Sequence, residues 1–149
     1  GELSDAIEKH VKEHWFMPCS KKFYKQYATT HEVGHLTHYV LVREELLKEL
    51  KANKNSLINY KTFEYDTIAQ YKREITKIAM GMLEETGNYN DADGFFDEWK
   101  AKAELSYEVS DYGNTSIYEW FAEVFANAHC GIPTTLGKAM LKWLERKMK

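Results

Sequence analysis

The sequence predicts an all-α or mostly α fold, a compact multi-helix domain with at most a small residual β element. Two observations carry this prediction. The chain has only two prolines, Pro18 and Pro133, and its eight glycines mostly fall between stretches in which apolar residues recur with helical period. Strand signals are weak and lie near residues 16–17 and 57–62. A length of 149 residues suits a single domain over 1–149.

Apolar spacing and boundary residues place the helices in order. Ser20 is a candidate cap for the second element, and Thr67 with Gln70 three residues later resembles a capping box. Residues 52–56 form a predicted turn, and 88–93 and 110–115 are predicted loops. The predicted helical segments are 4–15, about 20–50 with a possible break before Thr29, 67–87, 94–105, 116–129 and 135–149.

Composition and charge exclude several classes of protein. With 20 basic and 23 acidic residues, the chain lacks the positive excess that drives nucleic-acid binding. Its apolar runs are far shorter than a membrane span, and its N-terminus does not resemble a signal peptide, so a cytoplasmic location is expected. Cys19 and Cys130 allow at most one disulfide, and Cys130 beside His129 is expected to be a buried thiol rather than a metal ligand.

One motif carries chemistry: His31-Glu32-Val33-Gly34-His35 has the HExxH spacing. Residues four apart lie on one helix face, so both imidazoles can bind one zinc ion. Glu32 points about 100° away from His31, where it suits a general base rather than a ligand. A structural alternative stays open, because Thr29 and Glu32 also match a capping box.

A hydrolytic zinc site needs a third protein ligand and leaves a fourth position open. The metzincin pattern would require histidine at position 41, which is Leu41. His38 lies seven residues beyond His31, about 10 Å along a helix axis, which is too far for the same ion. We expect His38 to line the pocket or to support the ligands.

Glu119 and Glu123 offer better candidates for the third ligand. Their helix has no broad polar face, so it should be largely buried, and two carboxylates in a core need a metal or hydrogen-bond donors. Two alternatives stay open: Glu119 could complete a capping box with Ser116, and Glu123 could be exposed if the helix is shallow.

Two blocks of this sequence resemble the gluzincin metallopeptidases, and within them the catalytic domain of anthrax lethal factor and the Pro-Pro endopeptidases. The blocks are residues 31–35 and the segment 112–125, which resembles a tyrosine-glycine turn followed by a Glu-aromatic-Phe-Ala-Glu helix. The C-terminal domains of some phage minor head proteins are similar. The resemblance implies that His31, His35 and Glu119 are zinc ligands, Glu32 the general base, Tyr112 an oxyanion donor and Glu123 a supporting acid.

This sequence also departs from the gluzincin pattern in two respects. Only 30 residues precede His31 and they read as helical, whereas these peptidases have a small sheet there. The 83 residues between His35 and Glu119 suggest an inserted helix around 68–82, and the chain could be a fragment of a larger protein. The expected function is that of a zinc-dependent endopeptidase acting on a peptide or protein substrate. The alternatives are a non-enzymatic, zinc-stabilised structural or interaction domain of a phage particle, associated with phage structural proteins, and a metal-free helical interaction domain.

Overall fold

The computed structural model describes residues 1–55 and 57–149, so Ser56 of the predicted 52–56 turn lies outside the described residues. The described residues form six α-helices and one 3-10 helix without a β-strand, which confirms the all-α fold class. Their bounds are α1 Glu2–Lys12, the 3-10 helix Lys21–Gln26, α2 Tyr27–Ala52, α3 Tyr60–Glu85, α4 Glu98–Glu108, α5 Ile117–Ala128 and α6 Thr135–Lys147. None of these helices combines the length and apolar character that crossing a bilayer requires.

The first helix and the second element differ from their predicted bounds. Helix α1 ends at Lys12 rather than at Trp15, because the chain turns at His14 with a positive φ of 61°. The second element divides into the 3-10 helix and α2, with the boundary before Tyr27, so the break predicted before Thr29 lies two residues too late. The apolar residues before and after this boundary recur with the same helical spacing, so the sequence pattern does not show where the 3-10 helix ends and α2 begins.

The bounds of α3 and α4 also differ. Helix α3 begins at Tyr60, where the Asn59 side chain accepts a hydrogen bond from the Thr62 N–H, so the capping box predicted at Thr67 is wrong. This first turn is aromatic and polar, and it lacks the apolar period that marks the rest of the helix. Helix α4 begins after its cap Asp97, not at position 94. The predicted extended pieces form no strand, and an isolated bridge joins Asn90 to Phe96.

Helix α5 is the centre of the fold. Every residue from Trp120 to Ala128 is buried, as expected from its lack of a polar face. It contacts α2, α3 and α6, and the main apolar core lies around it. The polar side chains that α5 carries into this core therefore have to find their partners on other helices.

A close approach between α2 and α5 positions the HExxH motif. A Cβ built at Gly34 would lie 2.9 Å from the Cα of Ala122 and 3.1 Å from the Cβ of Phe125. A side chain at position 34 would therefore separate the two helices. Glycine at this position brings the histidine-bearing face of α2 directly against the glutamate-bearing face of α5.

The segment between α1 and the 3-10 helix packs across the same region. The Asp111 N–H donates to the His14 carbonyl at 2.9 Å, and the Tyr112 N–H donates to the Trp15 carbonyl at 3.2 Å. Further along, the Ser20 N–H donates to the Cys130 carbonyl at 2.8 Å. The first two bonds hold the N-terminal segment against the turn that carries Tyr112, and the third holds it against the end of α5.

Candidate metal centre

Three side chains from two helices converge at one point. His31 Nε2 lies 3.1 Å from His35 Nε2 and 2.9 Å from Glu119 Oε2, and His35 Nε2 lies 3.3 Å from the same Glu119 oxygen. The two histidines lie on α2, and Glu119 lies in the first turn of α5, 88 positions after His31. Among the described residues, these three form the group whose ligand atoms could hold a metal ion.

The spacing of these three atoms fits a zinc ion. In a tetrahedral site with bonds of about 2.0–2.2 Å, neighbouring ligand atoms lie about 3.3–3.6 Å apart. The observed separations of about 3 Å are close to this edge, and the set of two imidazoles and one carboxylate is one that catalytic zinc sites use. His31 is buried, while the His35 and Glu119 side chains are 14% and 21% exposed, so the centre is open on one side.

His31 lies between two carboxylates. Its Nε2 faces Glu119, and its Nδ1 lies 2.8 Å from Glu123 Oε2. Burial opposes protonation of this ring, but the hydrogen bonds and charges of Glu123 and Glu119 outweigh burial and raise the pKa of His31. Protonation of Nε2 would therefore compete with binding of a metal ion at that nitrogen.

Glu123 is fully buried and accepts hydrogen bonds from four donors. Its Oε2 accepts from the Tyr27 hydroxyl at 2.8 Å and faces His31 Nδ1 at 2.8 Å. Its Oε1 accepts from the Ser110 hydroxyl at 2.8 Å and from the Met17 N–H at 3.1 Å. The alternative of an exposed Glu123 is wrong. A carboxylate with four donors is satisfied as an anion, and it keeps the His31 proton on Nδ1, which leaves Nε2 free for a metal.

His38 supports the second histidine. It is fully buried, and its Nε2 lies 3.0 Å from His35 Nδ1. Burial, followed by the neighbouring His35, lowers the pKa of His38 to about 4, so its ring is neutral near pH 7. A neutral His38 can accept the His35 Nδ1 proton, and that tautomer directs His35 Nε2 towards Glu119. The remaining His38 nitrogen, Nδ1, has no hydrogen-bond partner among the described residues.

Tyr112, one of the two predicted catalytic residues, lies beside the candidate ligand His31. The Tyr112 ring stacks on His31 with a centroid distance of 5.3 Å and an interplanar angle of 9°, and Trp15 stacks on its other face at 5.2 Å. Burial, then the Glu119 carboxylate, raises the pKa of Tyr112 to about 12, so its hydroxyl keeps its proton near pH 7. The charge of the exposed Glu32 makes the smallest contribution to this raised pKa.

The first residues of α2 and α5 test the two alternatives in which Glu32 and Glu119 serve only in capping boxes. Because α2 begins at Tyr27, Thr29 lies inside the helix, and the capping-box interpretation of Glu32 is wrong. Ser116 does cap α5, accepting from the Glu119 N–H at 3.1 Å. The Glu119 side chain faces the two imidazoles, so its backbone N–H is bound by the cap while its carboxylate remains available as a ligand.

The two cysteines and His129, whose side chains could also bind zinc, lie elsewhere. Cys130 and Cys19 are buried in a separate apolar cluster with Tyr27, and His129 is exposed and packs on Phe125. The expectation of a buried thiol at Cys130 is confirmed. None of these residues belongs to the metal-binding group found among the described residues.

Sequence reasoning missed several residues that build the centre. Ser110 and the Met17 N–H reach Glu123 from 13 and 106 positions away, and no local pattern marks them. Tyr27 was missed because the sequence predicted one continuous helix through this position, with no sign that α2 begins there. Gly34 did carry a signal, because a helical glycine between two histidines, opposite an alanine-bearing helix, is typical of a close helix contact.

Comparisons with known proteins identify no relative: no family model, no curated protein and no solved structure matches this chain.

Proposed function

We propose that this chain is a zinc-dependent peptidase of the gluzincin type, in which His31, His35 and Glu119 hold the ion. One observation carries the proposal. Glu119 reaches both imidazoles of the HExxH motif, although 84 positions separate it from His35. If the five-residue motif had arisen by chance, there would be no reason for a carboxylate from a distant helix to meet its two histidines.

The remaining side chains have defined tasks in peptide hydrolysis. A bound zinc ion supplies Lewis-acid activation of water and polarisation of the peptide carbonyl. Glu32 accepts the proton from the attacking water and passes it to the leaving amine. The protonated Tyr112 hydroxyl donates to the carbonyl oxygen as negative charge develops. Glu123 holds the tautomer that leaves His31 Nε2 free, and His38 does the same for His35.

The open side of the centre supports catalysis over a purely structural role. Structural zinc sites usually take four protein ligands, whereas the group found in the described residues supplies three. The non-enzymatic alternative, a zinc-stabilised structural or interaction domain, would use the same three ligands without needing Glu32. The two functions therefore differ in what Glu32 does.

The test combines metal content with hydrolysis. The purified protein is analysed for zinc and is incubated with a mixed peptide pool, whose cleavage is followed by mass spectrometry. We expect about one zinc per chain and chelator-sensitive cleavage. Glu32→Gln should retain zinc and lose about 10²- to 10⁴-fold in rate, since it removes the proton acceptor only. Glu44→Gln, which changes another exposed glutamate of α2, is the matched control and should keep full activity.

Each outcome separates the hypotheses. Bound zinc without any cleavage would favour the structural domain. Full activity in Glu32→Gln would remove Glu32 from the mechanism, and a protein that binds no zinc would contradict both zinc-based functions.

A further inference from the structure

A second candidate site lies on the other side of α5, in a groove between α3 and α4. The groove has a volume of about 630 Å³, within the usual range for small-molecule sites. Ala69, Met80 and Ile117 contribute apolar surface to its walls. Its charged side chains are four cations and one carboxylate: Lys72, Arg73, Lys77, Lys102 and Glu98. This local positive excess contrasts with the net charge of −3 on the whole chain.

Lys72 is the most informative of these cations. It is half-buried, and its ammonium group lies 5.5 Å from the centroid of the Trp120 ring. Burial lowers the pKa of Lys72, and the lysines that form ion pairs among the described residues are others: Lys12, Lys100 and Lys147. Because burial disfavours this charge and its contact is a Trp120 ring rather than a carboxylate, an anion from solution would stabilise it further.

Hydrogen-bond donors surround the same lysine. Lys72 and Lys102 also line an adjoining cavity of about 220 Å³, together with Thr76, Ser106 and Asn114. Two ammonium groups, two hydroxyls and an amide form a donor set suited to phosphate or carboxylate oxygens. The apolar walls of the larger groove adjoin these donors, so the two cavities together suit a molecule with a charged end and an apolar body.

We propose that this groove binds a small organic anion, whose phosphate or carboxylate is held by Lys72 and Lys102 and whose apolar body lies against Met80 and Ile117. The site uses none of the candidate zinc ligands and does not depend on the proposed peptidase activity. Lys72 provides most of the binding energy because its charge is the least solvated, while Lys102 lies at the exposed rim of both cavities.

The test titrates the protein with phenyl phosphate, benzoate, inorganic phosphate and the neutral analogue phenol at constant ionic strength. Methionine methyl groups labelled with ¹³C report the location of binding by NMR. Met80 lines the groove, whereas Met17 lies beside Ser110 at the candidate metal centre. We expect phenyl phosphate to shift the Met80 signal saturably and to leave Met17 unchanged. Inorganic phosphate should bind at least tenfold more weakly, and phenol should not bind. The ratio of phenyl phosphate to benzoate affinity identifies the preferred charged group.

Substitutions assign the binding to the two lysines. Lys72→Gln should raise the dissociation constant of the better aryl anion at least tenfold. Lys102→Gln, at an exposed position, should raise it several-fold. Lys48→Gln on α2 is the matched control and should bind as the wild type does. No saturable Met80 shift up to about 20 mM of either aryl anion would overturn the proposal. Equal affinity in the folded Lys72→Gln and Lys102→Gln variants would overturn it as well.

Discussion

Replacing Glu123 by glutamine tests whether this residue sets the tautomer of His31. Glutamine has nearly the same shape as glutamate but offers one acceptor oxygen and one NH₂ group. In the wild type, one oxygen accepts from Tyr27 and His31 Nδ1, and the other accepts from Ser110 and the Met17 N–H. The NH₂ group must therefore face one of these two pairs of donors.

Neither orientation of the glutamine preserves the site. Facing Met17, the NH₂ group opposes a backbone N–H that cannot become an acceptor, although the Ser110 hydroxyl can rotate. Facing His31, it requires the ring proton to move to Nε2, the atom that must remain free for a metal. The first orientation leaves a buried donor unsatisfied, and the second abolishes a ligand.

The magnitude follows from these losses. A buried unsatisfied donor costs about 1–3 kcal/mol, and the lost charge-assisted bonds bring the total to about 3 kcal/mol. For a chain of this length, each kcal/mol lowers the melting temperature by about 2–4 °C, so metal-free Glu123→Gln should melt about 6–12 °C lower. Its zinc affinity should also fall by about 10- to 100-fold.

Calorimetry of the metal-free proteins and zinc titration provide the assay. Glu119→Gln is the matched control, because it changes the other glutamate of the centre. Its side chain is 21% exposed, so it should lose zinc affinity while changing metal-free stability by at most about 1 kcal/mol. If metal-free Glu123→Gln melts within 1–2 °C of the wild type, on the same scale, the proposed role of the buried carboxylate is refuted.

Two further predictions concern the oxyanion donor and the helix contact. Tyr112→Phe should keep its zinc content and fold but lose about 10²- to 10³-fold in turnover, and full activity on a cleavable peptide would leave this residue only its stacking role. Gly34→Ala should lower the free energy of unfolding by about 1–3 kcal/mol, because its Cβ would lie 2.9 Å from the Ala122 Cα. Gly81→Ala in α3, where no atom lies within 4 Å of the added Cβ, should instead raise it by up to about 1 kcal/mol, and equal denaturation midpoints for the two variants would contradict this reasoning.

Local periodicity explains which parts of the fold and centre the sequence predicted. The four-residue spacing of His31 and His35 depends only on helix geometry, and the burial of α5 follows from apolar residues on all its sides. The start of α3 at Tyr60 was missed because that turn depends on a cap at Asn59 rather than on an apolar period. Likewise, the position of Trp15 over Tyr112 depends on backbone pairing between distant segments, which no local pattern encodes.

The hydrogen bonds to Glu123 also constrain the order of folding. Its four donors come from positions 13 to 106 residues away, so no local structure can satisfy this carboxylate. Until the N-terminal segment, α2 and the 110–112 turn have all docked, burying α5 would leave an anion in an apolar core. We therefore expect the last step of folding to be a single cooperative closure, slowed by its dependence on contacts of long sequence separation. Hydrogen-exchange measurements should accordingly give the same free energy of opening for the amide protons of Met17 and Trp120, because both exchange through the same global opening.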